Sequence, residues 1–196
     1  MILLLAVVLG LTAGLCRARI GKRKYRYEEL KAPLLVLVAF IPQYLIFFLP
    51  STRALIPNRL ASILYIGSLI PLIVFAFLNI RINSFWPISA GFLMNALAIV
   101  LNGGWMPISP NMVQKLHPHS AEGAWRIGER LGYSKDIVLQ PEATRLWFLS
   151  DRFSLPEWLN YQVAFSLGDI FIFTGVVLLL WSLGGKQQIS YKGEKQ

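Results

Sequence analysis

The stretch YQVAFSLGDIFIFTGVVLLLWSL, residues 161–183, decides the fold class of this chain. Its only charged side chain is Asp169, and its residues do not alternate between polar and apolar as in a strand of a membrane barrel. At 1.5 Å per residue, a helix of this length spans roughly 35 Å, enough to cross the hydrocarbon core of a bilayer. The pattern therefore predicts a transmembrane helix with one carboxylate inside it.

Four further apolar stretches lie at 1–16, 32–49, 60–80 and 86–101, and none of them contains a charged residue. The 196-residue chain is 55% hydrophobic and 15% charged, whereas a soluble domain carries about 25% charged residues. Since a backbone in lipid must satisfy its own hydrogen bonds, each stretch is expected to be a helix. We predict an all-α fold, a five-helix transmembrane bundle that forms a single domain over residues 1–196.

The cations predict how these helices are oriented. Segments 17–31, 81–85 and 184–196 carry 11 Lys and Arg in 33 residues, whereas 50–59 and 102–160 carry 8 in 69. The positive-inside rule assigns the first group to the cytoplasm, so the N-terminus is expected outside and the C-terminus inside. The positive charges follow the first apolar stretch, whereas a cleaved signal peptide has them before it, so this stretch is expected to remain as a helix.

Residues 102–160, called the long segment below, are predicted to form an ordered extracytoplasmic lid, because their composition is aromatic and apolar. A glycine turn is expected to end the fourth helix, and Pro107 and Pro110 are expected to prevent its resumption. Two short interfacial helices are predicted, one over 121–131 capped by a serine and one opened by Pro141. A small separate soluble subdomain is the alternative.

Asp169 needs a partner, because a charge near the centre of a bilayer costs roughly 2.5–3.5 kcal/mol. No predicted span contains Lys or Arg. The partner is therefore expected to be a proton, a bound cation, an amide, or an arginine of the long segment such as Arg145 or Arg152. Counting from the outer helix ends puts several polar side chains at one depth, roughly 9–12 Å. The candidate ligand-binding site comprises Asp169, Asn95, Gln43, Ser68, Ser166 and Asn102.

Two interpretations of this polar layer stay open. It either forms a pocket, open to the outside, that binds a hard cation, a proton or a polar ligand group. Or it consists of interhelical hydrogen bonds, each worth about 0.6–2 kcal/mol. In both cases the fourth helix is expected to turn its polar side chains toward the other helices. Four of its residues recur at i, i+4, i+7 and i+11 and form one small, polar face. These residues are Gly91, Asn95, Ala98 and Asn102.

Small residues also mark the first helix, where Ala6, Gly10 and Gly14 form one ridge. Such a ridge suits close packing against a neighbouring helix or a second copy of the chain. The expected partners are therefore the lipid bilayer and possible membrane proteins or a homodimer contacted through this ridge. Cys16 is alone and permits no intrachain disulfide. The basic stretch 17–31 is interpreted as a topology determinant, and no nucleic-acid partner is expected.

The sequence contains no complete catalytic or metal-binding set. Ser166-Leu167-Gly168-Asp169 is similar to the Gly-x-Gly-Asp element of intramembrane aspartyl proteases, but that chemistry needs two carboxylates and no other predicted span has an aspartate. His117-Pro118-His119 offers two metal ligands where a site needs three or four. Phosphate loops, Gly-x-Ser-x-Gly and His-Glu-x-x-His are absent. No catalytic residue, metal or cofactor is predicted.

Four segments taken together resemble a known family. They are 1–16, the turn Asn102-Gly103-Gly104-Trp105-Met106-Pro107, 144–156 and Ser166-Leu167-Gly168-Asp169. The family is an uncharacterised (domain-of-unknown-function) family of small bacterial multi-pass integral-membrane proteins, and the likeness covers nearly the full length. The resemblance implies a location in the bacterial cytoplasmic membrane and supplies no activity.

Two functions follow as hypotheses. In the first, the chain is a non-enzymatic integral-membrane accessory or assembly subunit that contacts a partner membrane complex. In the second, it is a binding protein or transporter for a small polar solute or cation that uses the layer around Asp169. The small size and the lack of a catalytic set favour the first. Five helices do not divide into the two equal repeats of many carriers, which weighs against transport.

Overall fold

The computed structural model describes residues 2–26, 28–118, 124–159 and 161–185, and most of these residues are helical. The described ranges contain seven α-helices: α1 (Ile2–Ile20), α2 (Leu34–Gln43), α3 (Pro50–Arg53), α4 (Asn58–Leu78), α5 (Phe85–Leu101), α6 (Pro110–Leu116) and α7 (Leu167–Leu183). They also contain four short strands: β1 (Met106–Ile108), β2 (Asp136–Val138), β3 (Phe153–Ser154) and β4 (Ala164–Phe165).

Four of the five predicted helices lie close to their expected positions. The first four apolar stretches correspond to α1, to α2 with the π-helical turn Tyr44–Phe48 that continues it, to α4 and to α5. Among the described residues, α1 and α4 are long and apolar enough to cross a membrane, judged by length and composition alone. The continued α2, α5 and α7 are apolar but shorter.

The fifth helix begins later than predicted. α7 starts at Leu167, whereas the apolar stretch starts at residue 161, and Ala164–Phe165 instead pair antiparallel with β3. A capping box sets this boundary. The Oγ of Ser166 accepts from the backbone N–H of Asp169 at 3.0 Å, and the Asp169 carboxylate accepts from the Ser166 N–H at 3.1 Å. Asp169 therefore lies in the first turn of α7 and not eight residues inside a helix.

The helices α1, α7, α5, α4 and α2 lie side by side in that order. Ala6, Gly10 and Gly14 of α1 are buried, and a side chain added at Gly10 or Gly14 would meet Leu180 of α7. The neighbour expected for this ridge is thus α7 of the same chain.

On its other side, α7 approaches α5 at a pair of glycines. A side chain added at Gly91 would overlap the carbonyl oxygen of Gly168, and one added at Gly168 would overlap the Oδ1 of Asn95. Gly91 and Ala98 are buried. The face was expected to point inward, and its residues Gly91 and Asn95 contact α7, where the close approach allows side chains of the two helices to form hydrogen bonds.

The long segment packs over the ends of the helices. Its strands β1 and β2 form a parallel pair, and Asp151 adds a bridge to Ile108 of β1. An apolar cluster buries Trp105 and Leu149 of the long segment against Tyr65 of α4. This packing brings polar residues near β2 and Asp151 to one end of the helix array.

Neither predicted interfacial helix is present in the described residues. Residues 124–131 form turns, because the Gly128 N–H donates to the carbonyl of Val138 at 2.7 Å and ties this stretch to β2. The beginning of that predicted helix, with its cap Ser120, lies outside the described residues. The helix expected from Pro141 is reduced to single 3-10 turns at Pro141–Ala143 and Trp147–Leu149.

A helix that was not expected, α6, follows β1. The Ser109 Oγ accepts from the Met112 N–H at 3.2 Å, and Pro110 occupies the first helical position, where its missing N–H costs nothing. The fourth helix does not resume, as expected, and α6 is a separate helix that begins at Pro110, because a proline preceded by a capping serine starts a helix.

Candidate functional site

Asp169 is the centre of a closed set of hydrogen bonds between α5 and α7. The Asn95 Nδ2 donates to Asp169 Oδ1 at 2.8 Å, and the Ser166 backbone N–H donates to Oδ2 at 3.1 Å. The Ser166 hydroxyl donates to the Asn95 Oδ1 at 2.8 Å. One of the partners considered for Asp169, an amide, is hydrogen-bonded to it, and Arg152 instead stacks on Trp147 at 4.2 Å.

Gln43 and Ser68 form a second, separate pair. The Gln43 Nε2 donates to the Ser68 Oγ at 2.9 Å, and the Ser68 hydroxyl donates to the carbonyl of Tyr65 at 2.6 Å. Gln43, Asn95 and Asp169 all line one cavity of about 200 Å³, whereas Ser68 is buried outside it. The structure thus brings three of the six candidate residues to a common cavity.

Asn102 lies apart from that cavity and fastens the long segment to α5. Its Nδ2 donates to the carbonyls of Ala98 at 2.7 Å and Arg145 at 2.9 Å, and its Oδ1 accepts from the Arg145 N–H at 2.9 Å. Both the nitrogen and the oxygen of the Asn102 amide are therefore hydrogen-bonded to backbone groups. Asn102 is a structural residue in this arrangement.

A larger cavity of about 880 Å³ lies against the same helices, and Gln43 and Tyr65 line both cavities. Its walls are formed mainly by apolar side chains of α2 with its π-helical turn, α4, α5 and α7, among them Phe40, Phe47, Leu72, Phe75, Phe92 and Val176. This volume is in the range of pockets that enclose a small-molecule ligand, about 300–1,000 Å³. The sequence did not indicate this cavity, because the apolar residue types that line a cavity are the same types that face lipid.

The polar lining residues of the large cavity come mostly from α3 and the long segment. They include Arg53, His117, Tyr133, Ser134, Lys135 and Asp136. The Lys135 Nζ donates to Asp136 Oδ1 at 3.1 Å and forms a short contact with Asp151 Oδ2. These polar residues lie together at one end of the helix array, whereas the walls of the cavity are apolar. We call this end of the cavity the charged end.

Asp151 lies behind Lys135 and is almost completely buried, and its Oδ1 has no hydrogen-bond partner among the described residues. Burial raises the pKa of Asp151 to about 7, against the opposing effect of the Lys135 ammonium. Desolvation alone would lower the pKa of Lys135, but the carboxylates of Asp136 and Asp151 outweigh it and hold that pKa well above its ordinary value. Lys135 therefore stays charged at neutral pH, while Asp151 changes protonation there.

Arg130 positions the loop that carries Lys135. Its guanidinium donates to the carbonyls of Ser134 at 2.7 Å and Tyr133 at 2.8 Å and lies 4.3 Å from the centre of the Trp105 ring. Burial lowers the pKa of Arg130. Because most of its donors are used by backbone carbonyls and by the Asn58 side chain, Arg130 stabilises the charged end as a structural residue.

Arg53 differs from Arg130 because its guanidinium donates no hydrogen bond to a residue in the described part of the chain, and no carboxylate lies within 4.0 Å of it there. It is half-buried, lines the cavity, and stacks on the Tyr133 ring at 4.9 Å. His117 is exposed at the same end, His119 lies outside the described residues, and no group of three metal-ligating side chains occurs among the residues described.

The chain belongs to DUF5317, a family of unknown function, whose profile matches residues 28–181. The expected membership in an uncharacterised family is thereby confirmed. No curated protein and no solved structure matches the chain. The matched range includes α2 to α6, most of α7 and the charged end, and all residues described above as lining the two cavities.

Proposed function

We propose that this protein is a five-span integral protein of the bacterial cytoplasmic membrane that binds a lipid-like amphiphile in the large cavity. The observation that carries the proposal is the cavity of about 880 Å³, with apolar walls and charged residues at one end. A ligand that fits both parts has an apolar chain and a polar head. Burying the chain stabilises the complex by about 25 cal/mol per Å² of apolar surface removed from water.

The membrane location is supported by the outward faces of the helices. Large apolar side chains are exposed on every long helix, for example Leu37 of α2, Ile70 of α4, Leu97 of α5 and Leu178 of α7. Monomeric soluble proteins rarely expose contiguous apolar surface on this scale, whereas lipid covers it at no cost. α1 and α4 have the length and composition of spans, and the three shorter apolar helices pack beside them.

The orientation proposed is N-terminus out and C-terminus in, as the distribution of Lys and Arg predicts. It puts the long segment outside the cell. In a Cys16→Ser background, a cysteine at the exposed Trp158 should then react with a membrane-impermeant maleimide on intact cells, and a cysteine at the exposed Lys24 should not. The reverse labelling pattern would refute the orientation.

A hard cation at Asp169 is less well supported than an amphiphile. Both oxygens of the Asp169 carboxylate already accept a hydrogen bond from the protein. A cation there would have to replace these bonds, and the cavity beside Asp169 is lined mainly by apolar side chains. The hydrogen bonds around Asp169 are therefore assigned to holding α5 and α7 together, and ligand binding to the larger cavity.

An accessory subunit is the second candidate function, favoured by exposed aromatic side chains on the long segment. Trp147, Phe148 and Trp158 are all exposed, and such residues suit either an interface with a partner protein or a membrane surface. Purification from native membranes in mild detergent separates the two candidates. A stoichiometric protein partner supports an accessory subunit, and a purified chain that retains lipid supports amphiphile binding.

The test of amphiphile binding uses a neutral monoacylglycerol with a photoreactive group on its chain, in phosphatidylcholine vesicles. We expect saturable crosslinking to wall residues such as Leu72 and Phe92, with competition by the unlabelled compound. Val176→Trp puts an indole into the cavity and should reduce crosslinking about tenfold or more. Val74→Trp is the matched control, because Val74 is exposed on α4 and does not line the cavity.

Two results would overturn the proposal. One is crosslinking to the wild type that does not saturate. The other is equal crosslinking of the two tryptophan variants, both of which must elute as single species with similar melting temperatures. If Val176→Trp does not fold, Leu179→Phe reduces the same cavity with a smaller change in volume.

A further inference from the structure

Arg53 is a cation without a counterion at the charged end. It is half-buried, contacts the Tyr133 ring, and has no carboxylate within 4.0 Å in the described ranges. Removing an ionised side chain from water is costly unless it is paired. The planar guanidinium presents several N–H donors in a fixed fork that matches the oxygens of a carboxylate or a phosphate. Arg53 is therefore poised to bind an anionic group inside the cavity.

Lys135 offers a second donor at the same end. An ammonium has three N–H donors, and the contacts with Asp136 and Asp151 use two of them. Lys135 also lines the cavity, whereas Asp151 is buried behind it. The third donor is consequently available to a ligand in the cavity.

The balance of charge at this end favours an anion. Among the described residues that line or support it, three cations face two carboxylates: Arg53, Arg130 and Lys135 against Asp136 and Asp151. A cationic head group would meet a net repulsion, and a neutral head would leave Arg53 unpaired. An anion supplies the missing charge and accepts from both free sets of donors.

We infer that the amphiphile carries an anionic head group, a phosphate or a carboxylate, held by Arg53 and Lys135 while its chain occupies the apolar part of the cavity. This inference rests on the proposed function, since it assigns the head group of the same ligand. A membrane lipid is the source to which the geometry points, because the two cations border apolar walls. A free anion would leave those walls unoccupied.

The experiment compares competitors that share one oleoyl chain and differ only in the head. Neutral monoolein, oleate and lysophosphatidic acid each displace the photoreactive monoacylglycerol from the protein in phosphatidylcholine vesicles. We expect at least one of the anionic competitors to be about tenfold more effective than monoolein, which corresponds to about 1.4 kcal/mol. Inorganic phosphate at millimolar concentration should not change the crosslinking.

Arg53→Gln should reduce the preference for the anionic competitor over monoolein to about threefold or less. Lys135→Gln should act in the same direction, but it also leaves Asp151 without its ion pair, so Arg53→Gln is the decisive variant. Arg59→Gln is the matched control, because Arg59 is an exposed cation at the start of α4 that does not line the cavity. It should keep the full preference.

The outcomes separate this inference from the proposed function. If monoolein and both anionic competitors act equally on the wild type, or if Arg53→Gln keeps the preference, the head-group assignment is wrong while the cavity still binds lipid. If phosphate displaces the probe as well as lysophosphatidic acid does, the ligand is a free anion and the inference fails. If the neutral probe does not crosslink at all, the proposed function itself is wrong.

Discussion

Replacing Gly168 by alanine should force α5 and α7 apart. The added Cβ would overlap the Asn95 Oδ1 and would lie only 2.8 Å from the carbonyl oxygen of Gly91. The Gly91 oxygen belongs to helical backbone, which cannot rotate away. The Asn95 oxygen can move, but then the side chain loses its bonds to Ser166 and Asp169. The added methyl group thus overlaps with the same residues whose hydrogen bonds hold the two helices together.

The size of the effect follows from these two contributions. Inserting a methyl group into a packed contact costs roughly 1–3 kcal/mol, and losing the two hydrogen bonds of Asn95 costs about 0.6 kcal/mol each. Alanine gains up to about 1 kcal/mol over glycine from helix propensity. The expected loss of stability is therefore about 1–3 kcal/mol. For a chain of this size, 2 kcal/mol corresponds to a melting temperature lower by roughly 4–8 °C.

The assay is thermal unfolding in one detergent, with Gly67→Ala as the matched control. An added Cβ at Gly67 has no atom within 4 Å, so this variant should melt at or above the wild-type temperature. In an Asn95→Ala background the main overlap is removed, and Gly168→Ala should cost about 1 kcal/mol less than it does in the wild type.

Two results would refute this reasoning about the α5–α7 contact. One is a Gly168→Ala protein that melts with the wild type. The other is a cost of Gly168→Ala that is the same whether or not Asn95 is present. Either result would mean that the glycine is not required by the close approach of the helices.

Two further predictions concern the long segment. Burial raises the pKa of Asp151 from 3.8 in the unfolded chain to about 7 in the folded protein. The protonated Asp151 side chain therefore stabilises the fold fully below pH 3.8, and this stabilisation is lost as the pH rises through about 7. The melting temperature of the wild type minus that of Asp151→Asn should therefore be larger at pH 5 than at pH 8, and a difference that grows with pH would contradict the assignment. Asn102→Ala removes three hydrogen bonds and should destabilise the chain by about 1–3 kcal/mol. It should also speed hydrogen exchange at the Arg145 amide, whereas Asn111→Ala, an exposed control on α6, should not; unchanged exchange at Arg145 would count against the role of Asn102.

Part of the candidate site was predictable because its residues sit on helices with a clear register. The spacing of Gly91 and Asn95 on α5 predicted a face directed inward, and an amide was among the partners expected for Asp169. The start of α7 was also encoded locally, since Ser166 and Asp169 stand three residues apart as in a capping box. That signal was overlooked because the apolar stretch continues through it.

The apolar stretches by themselves indicated where the five long helices form, because apolar runs of this length exceed the length of a strand and favour a helix. The start of α7 was the exception, because a capping box sets it. The family was likewise readable from short motifs. Only the tertiary structure decided which apolar side chains enclose the large cavity and which face outward, since the two sets have the same chemistry. It also decided that Lys135 meets Asp151. Their contact depends on the parallel pairing of β1 with β2 and on the bridge from Ile108 to Asp151, and such pairings are set by packing over distances that no local pattern records.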